Sequence, residues 1–237
     1  MVNIKGSTAL VTGGQRGLGK AFVQELLARG AVKVYATART PQPSADPRIV
    51  PVALDVTDSV SVEELGRVAT DVTIVVNNAG AGGAGPLLTT DIADIKEVFE
   101  TNLFGAIRVA QVFAPILAAN GGGALVDIHS ALSWIAGAGG YGASKAAFWS
   151  ATNSLRLELA PQGTLVVGVH LGYADTDMTA TVTAPKLDPR DVARAVADGV
   201  DGGLTEVLVD DASRYFKNAV AGPVEGLSLV PRAASVS

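Results

Sequence analysis

Short runs dense in Val, Ile, Ala and Leu recur along the chain without polar alternation, at residues 8–11, 33–36, 49–54, 72–76, 124–128, 165–170 and 207–209. Each is bounded by Gly, Pro, Asp or Asn. A strand covered on one face alternates apolar with polar side chains, and a strand covered on both faces does not. These runs therefore predict strands of a buried parallel sheet. Between them, residues 17–29, 63–69, 92–119, 141–160 and 189–201 read as helices. Strand and helix in alternation imply right-handed βαβ units.

At 237 residues the chain has room for one such domain with a substantial core, and is short for two. The expected architecture is α/β: a single doubly wound (Rossmann-type) parallel sheet of about seven strands with helices on both faces. No repeat or linker divides the chain, so residues 1–221 are expected to form one domain. Residues 222–237, rich in Gly, Pro, Ala and Ser, are expected to form a loose tail.

Composition removes several function classes. The net charge of −5 offers no basic field for nucleic acid or an anionic membrane. With no cysteine there are no disulfides or thiolate metal sites, and two histidines make a His-based metal site improbable. The first residues carry no basic-then-apolar leader, and no apolar run reads as a membrane span. A soluble, cytoplasmic protein is expected.

The first chemistry lies in Thr12-Gly13-Gly14-Gln15-Arg16-Gly17-Leu18-Gly19, which follows the first strand and opens the first helix. Gly13 allows the turn, Gly17 lets backbone approach a pyrophosphate, and Gly19 permits close packing of helix on sheet. The helix N-terminus then holds phosphates with its amides and dipole. Glycine patterns alone are weak evidence, but here the strand-before, helix-after context is met. An NAD site generally places an acid at the end of the second strand, roughly 20 residues beyond the glycines, for the ribose 2′-hydroxyl. Tyr35-Ala36-Thr37-Ala38-Arg39-Thr40 contains none. Arg39 offers a guanidinium fork to a 2′-phosphate, with Arg16 placed to flank it, which favours NADP(H). Two solvated surface arginines are the bland alternative.

Tyr141-Gly142-Ala143-Ser144-Lys145 begins a long helix and sets Tyr141 and Lys145 on one face. A free phenol, with pKa about 10, exchanges protons poorly near neutrality. A neighbouring ammonium, together with a cationic nicotinamide, favours the phenolate.

At these residues the chain resembles the short-chain dehydrogenase/reductase family, over about residues 5–215. Beside the glycine turn and Tyr141/Lys145 stand Leu54-Asp55-Val56, Asn77-Asn78-Ala79-Gly80, Asn102, Ser130, and Gly172 with Thr176. The resemblance implies that Asp55 and Val56 contact adenine and that Asn78, Ala79 and Gly80 line the ribose and pyrophosphate path. Gln15 and Leu18 of the glycine turn and Thr40 beside Arg39 join the cofactor contacts, as does Gly172. Ala174 and Thr176 would bind the carboxamide. Lys145 would hold the nicotinamide ribose, Asn102 a water completing a proton relay, and Ser130 and Tyr141 the substrate oxygen. Singly, each has a bland reading. Asp55 and Asn102 fit helix or turn caps, Asn77 and Asn78 fit satisfiers of buried backbone, and Ser130 fits a strand-end hydroxyl.

Two departures stand out. The spacing from Ser130 to Tyr141 is shorter than usual in the family, which alters the pocket wall at residues 131–140 and places Trp134 and several glycines near the substrate. It also leaves Ser133 as a rival to Ser130. Leu171 stands where a proline usually precedes Gly172. His129 and His170 are expected to be packed and without a role, Phe148 and Trp149 to serve packing or a subunit interface, and Asp175 and Asp177 not to bind metal. Residues 178–188 are expected to form a short lid over an open, apolar pocket. The function expected is reversible reduction of a small ketone or aldehyde with NADP(H) by a homo-oligomer, a tetramer before a dimer. A 3-oxoacyl thioester reductase and a non-catalytic NADP-sensing regulator are the alternatives.

Overall fold

The computed structural model of the protein describes residues 2–228. Seven strands form one sheet: β1 (Thr8–Val11), β2 (Lys33–Ala38), β3 (Ile49–Ala53), β4 (Ile74–Asn77), β5 (Ala124–Ile128), β6 (Leu165–His170) and β7 (Glu206–Leu208). Their order is β3-β2-β1-β4-β5-β6-β7, with every neighbouring pair parallel. The helices are α1 (Gly17–Ala28), α2 (Ser59–Val68), α3 (Ile92–Phe99), α4 (Ala106–Ala119), α5 (Gly139–Leu159), α6 (Pro189–Asp201) and α7 (Asp211–Ala219). The expected strand-and-helix alternation is present. The short helix α7 is additional, and begins at an Asp210 cap that accepts from Ser213 N.

Successive residues of one strand serve opposite cores. Ala9, Val11, Ile74, Val76, Ala124, Val126, Val167 and Val169 join α1 and α6 on one face. Leu10, Val75, Leu125 and Val166 join α2, α4 and α5 on the other. Both faces are therefore apolar, which is why the strands read as unbroken hydrophobic runs.

Near the carboxyl ends of β4 to β6 the face under α5 turns polar. Asn77, Asp127, His129 and His170 are buried there. Asp127 accepts from Asn77 Nδ2 at 3.0 Å and from Thr152 Oγ1 of α5 at 2.7 Å, so the carboxylate joins β4, β5 and α5.

The helix expected over residues 92–119 is continuous but not uniform. Between α3 and α4 it passes through a π-helical segment, Glu100–Gly105. By length and composition Ile92–Ala119 is apolar enough to cross a membrane, contrary to the expectation that no run approaches a span. It packs on the sheet instead, burying Val109, Ala110, Phe113 and Leu117. At the carboxyl terminus, residues 224–226 of the expected tail form one 3-10 turn. Ala136 N donates to Leu227 O at 2.8 Å. Residues 229–237 of that expectation lie outside the described residues.

Phe113 is fully buried between α4 and the sheet. Phe113→Ala should lower unfolding free energy by about 3–5 kcal/mol, measured by urea denaturation. A loss below about 1 kcal/mol would mean that this face of α4 is not core.

Candidate active site

Apart from Asn102, Tyr141 and Lys145, which lie on helices, every predicted site segment leaves the carboxyl end of a strand, so these lie along one edge of the sheet. The strand order reverses between β1 and β4, which opens a crevice there. Thr12 lines its floor, with Oγ1 accepting from Asn78 N and Ala79 N, each at 2.9 Å. Gly13 and Gly17 have φ of +64° and +49°, a region that disfavours side chains. A Cβ on Gly19 would lie 2.1 Å from Gly13 O and 2.7 Å from Asn78 Nδ2, so helix and turn meet only because it is absent.

Helices α2, α3, α6 and α7 are each capped by an aspartate, namely Asp58, Asp91, Asp188 and Asp210. Helix α1 has no side-chain cap and no acid in its first turn. Its leading amides thus have no side-chain cap, and a turn of glycines before an uncapped helix fits a pyrophosphate.

Along the adenosine side, Arg39 and Thr40 are exposed at the end of β2. Asp55 accepts from Thr57 N and Oγ1, at 2.9 and 2.7 Å, so it does cap its own turn. These bonds, and then the Arg39 charge, hold its carboxyl below the ordinary range. Three of the expected contact residues also have partners within the protein. Arg16 faces Asp177 at 3.8 Å. Gln15 is engaged with the main chain of Gln42, donating and accepting at 2.8 Å, and braces the loop after Thr40. The Val56 side chain is buried in the core against Gly105, leaving only its main chain for an adenine contact.

At the catalytic end, Asn102 sits in the π-helical segment, and such turns often mark functional sites. Its Oδ1 accepts from Ala81 N at 2.8 Å, and its Nδ2 donates to Ala81 O and Ser144 Oγ, each at 3.0 Å. Gly80 lies between Asn102 and Lys145: a Cβ there would be 3.2 Å from Asn102 Oδ1 and 3.8 Å from Lys145 Nζ. Lys145 Nζ donates to Ile128 O at 2.8 Å. Ser130 Oγ accepts from Leu132 N at 3.1 Å, and the hydroxyl lies near enough to the Tyr141 phenol to favour its ionised form. The rival Ser133 hydroxyl is buried without a partner among the described residues. Asn102, Ser130, Tyr141 and Lys145 thus converge from three elements.

Burial drives these groups toward neutrality. It pushes Tyr141 up to about 12, with the Ser130 hydroxyl opposing. It pushes Lys145 down to about 8, with the Asp127 charge opposing. The ammonium is turned to Ile128 O.

Around the pocket, Gly172 N donates to Asp210 Oδ2 at 2.9 Å, which fixes the loop after β6. Thr176 caps the 3-10 turn Asp177–Thr179, and Ala174 O accepts from Thr179 Oγ1 at 2.5 Å. The Ala174 side chain is core. In the expected lid, Met178 covers Gly82, and Leu187 bridges back to Ala174. Gly140 N donates to Ala84 O at 2.9 Å, clamping the segment after Gly80 to the start of α5. Trp134, expected near the substrate, instead turns inward and stacks on His170 at 3.9 Å. Thr12, Ser144 and Asp210 escaped the sequence reading. An Asp-x-x-Ser cap at Asp210 was the one available signal.

A family model described as short chain dehydrogenase matches residues 7–187. The chain is similar to the ketoacyl reductase HetN of Nostoc sp., 30% identical over 236 residues, covering 89% of this chain and 80% of that protein. It is 34% identical over 222 residues to the 3-oxoacyl-(acyl-carrier-protein) reductase FabG of Vibrio cholerae, covering 83% and 90%. A solved short chain dehydrogenase from Burkholderia cenocepacia, in complex with NADP, superposes with a TM-score of 0.89 at 35% identity, covering 95% and 97%.

Burial pushes Asp127 up to about 6 from 3.8, against the bonds from Thr152 and Asn77. A raised carboxyl contributes stability that is fully present below pH 3.8 and lost as pH rises through 6. In Asp127→Asn the amide can donate to Thr152 Oγ1, which turns to Phe148 O. The stability difference, wild type minus variant, should fall by roughly 3 kcal/mol between pH 3 and 7, about 2 kcal/mol of it between pH 4 and 6, and then level off. Urea denaturation across that range checks it; a flat difference contradicts the raised pKa.

Proposed function

The chain belongs to the short-chain dehydrogenase family of nicotinamide-dependent oxidoreductases, and on that footing we propose that it reduces a ketone or aldehyde to an alcohol, reversibly, with NADP(H). The observation that carries this reading is the meeting of Ser130, Tyr141, Lys145 and Asn102 at one end of the crevice, with the phenol held protonated. A regulator that only senses NADP has no use for that set.

The uncapped amides of α1 would hold the pyrophosphate, with Gly13 and Gly17 keeping side chains out of its path. Arg39 would hold the 2′-phosphate, and Lys145 the nicotinamide ribose. When bound, the nicotinamide supplies the hydride. Ser130 and Tyr141 orient the carbonyl oxygen and stabilise the charge that grows on it. Tyr141, kept protonated through the neutral range by burial, then gives its proton to that oxygen. Lys145 and Asn102 return a proton to the phenol through water. Because NADPH is the reducing cofactor in most cells, we assign reduction as the working direction.

A 3-oxoacyl thioester is a second reading, favoured by the names of the Vibrio cholerae and Nostoc relatives. The net charge of −5 disfavours an acidic carrier. Initial rates with acetoacetyl thioesters beside aliphatic, aryl and bicyclic ketones separate the two. We also read the enzyme as a cytoplasmic homo-oligomer, a tetramer before a dimer; Phe104 beside α4 and Leu157 on α5 expose 46% and 77% of their surface.

Two variants test the mechanism. Tyr141→Phe should keep NADPH affinity within the ~1 kcal/mol of one hydrogen bond while the reduction rate falls ~100- to 10,000-fold. Retention of more than about a tenth of wild-type rate is incompatible with general acid catalysis of that size. Arg39→Ala should raise the NADPH KM about tenfold and leave the NADH KM nearly unchanged. Equal damage to both, or a wild type that prefers NADH, removes the NADP assignment.

A further inference from the structure

Behind the catalytic serine lies a buried cluster that the mechanism above does not use. His170, the last residue of β6, is fully buried, with its Nδ1 3.2 Å from Ser130 O. A carbonyl only accepts, so Nδ1 carries the proton and Nε2 a lone pair. Nε2 has no hydrogen-bond partner among the described residues. Glu206 Oε1 stands 3.9 Å from it, but that carboxylate is engaged by Lys217 Nζ at 2.7 Å. Burial, followed by the charges of Lys217, Lys145 and Arg156, pushes the ring down to about 3, against the Ser130 bond. His170 is therefore neutral and of one tautomer throughout the working range.

We infer that His170 is a positioning residue for Ser130, acting on the serine's main chain. Ser130 O accepts twice, from Ser133 N at 3.0 Å, which closes the 3-10 turn, and from His170 Nδ1. The two bonds fix the peptide plane at the point where the chain leaves β5. That plane sets the direction in which the Ser130 hydroxyl meets the Tyr141 phenol. The same ring also carries the shortened loop. Trp134 stacks on His170 at 3.9 Å and 23°, meets Trp149 edge-on at 5.9 Å, and lies with it beneath Lys217, each ring 5.3 Å from the ammonium. One imidazole thus holds both the serine and the first turn of the pocket wall.

The inference rests on the carbonyl-reductase reading, and its test separates the two. The chain has two histidines, so ¹³C/¹⁵N-histidine labelling of the untagged protein gives two ring systems, and His170→Phe assigns them. Between pH 6 and 8 the His170 ring should be the neutral Nδ1–H tautomer; an Nε2–H tautomer overturns the inference without any substrate. In kinetics, His170→Phe keeps a ring against Trp134 but removes the donor. Its kcat should fall about five- to tenfold, the loss of one hydrogen bond, with NADPH Kd unchanged. His170→Asn returns an amide donor at the Nδ1 position and should recover to within about twofold of wild type. A folded His170→Phe enzyme with wild-type kcat, or an Asn variant no better than Phe, overturns it. A wild type that reduces no carbonyl compound would instead sink the reductase reading, with the tautomer spectrum still reporting on the His170–Ser130 bond.

Discussion

Thr12 Oγ1 accepts from two successive main-chain amides, those of Asn78 and Ala79, and so ties the end of β1 to the end of β4. These two strands are adjacent in the sheet but distant in sequence, and the chain departs from them in opposite directions. Beside it Gly19 brings the first turn of α1 against Gly13 O and the Asn78 side-chain amide, within a distance that a single methyl group would close. From this junction the rest is placed. Asn78 seats the glycine turn through Thr12 O, Gly80 passes between Asn102 and Lys145, and the segment beyond it reaches Gly140 beside Tyr141. The glycine turn and the start of the Tyr141 helix are therefore two ends of one hydrogen-bonded path.

A second theme is neutralisation by burial. Tyr141 and Asp127 are pushed up, while Lys145, His129 and His170 are pushed down. Away from water, holding any of these groups charged costs more than its neighbours return. At pH 7 the phenol and both imidazoles are therefore neutral, while Asp127, at about 6, and Lys145, at about 8, keep most of their charge and oppose each other's shift.

Much of this was legible in the sequence, for identifiable reasons. Glycines at 13, 17 and 19 are readable because only glycine tolerates those torsions and approaches, and both-face burial writes itself as apolar runs. Tyr141, Lys145 and Asn102 were found through a resemblance, and the structure brings them together with Ser130. The features that escaped depend on main-chain partners or side-chain direction. Lys145 is held by the carbonyl of Ile128, and no residue type encodes a carbonyl. Trp134 was assigned by proximity in sequence to the right segment, but its side chain points to His170. By length and composition Ile92–Ala119 reads as one long apolar helix, so the widened turn at Glu100–Gly105 leaves no compositional trace.

That widened turn also has a bearing on how the protein can change over time. Each residue added to a helix rotates the downstream residues by about 100°. The π-helical segment therefore puts α3 and α4 out of phase, and Asn102 points at Ala81 and Ser144 only because of that offset. Deleting one residue between 100 and 105 would restore even i→i−4 bonding and a straighter rod. It would also swing either the Asn102 amide or the Phe113 core face to the wrong side. The helix is consequently closed to the simplest stabilising mutation available to it. Length variants in this protein's lineage should collect in the loops and stay out of its longest helix.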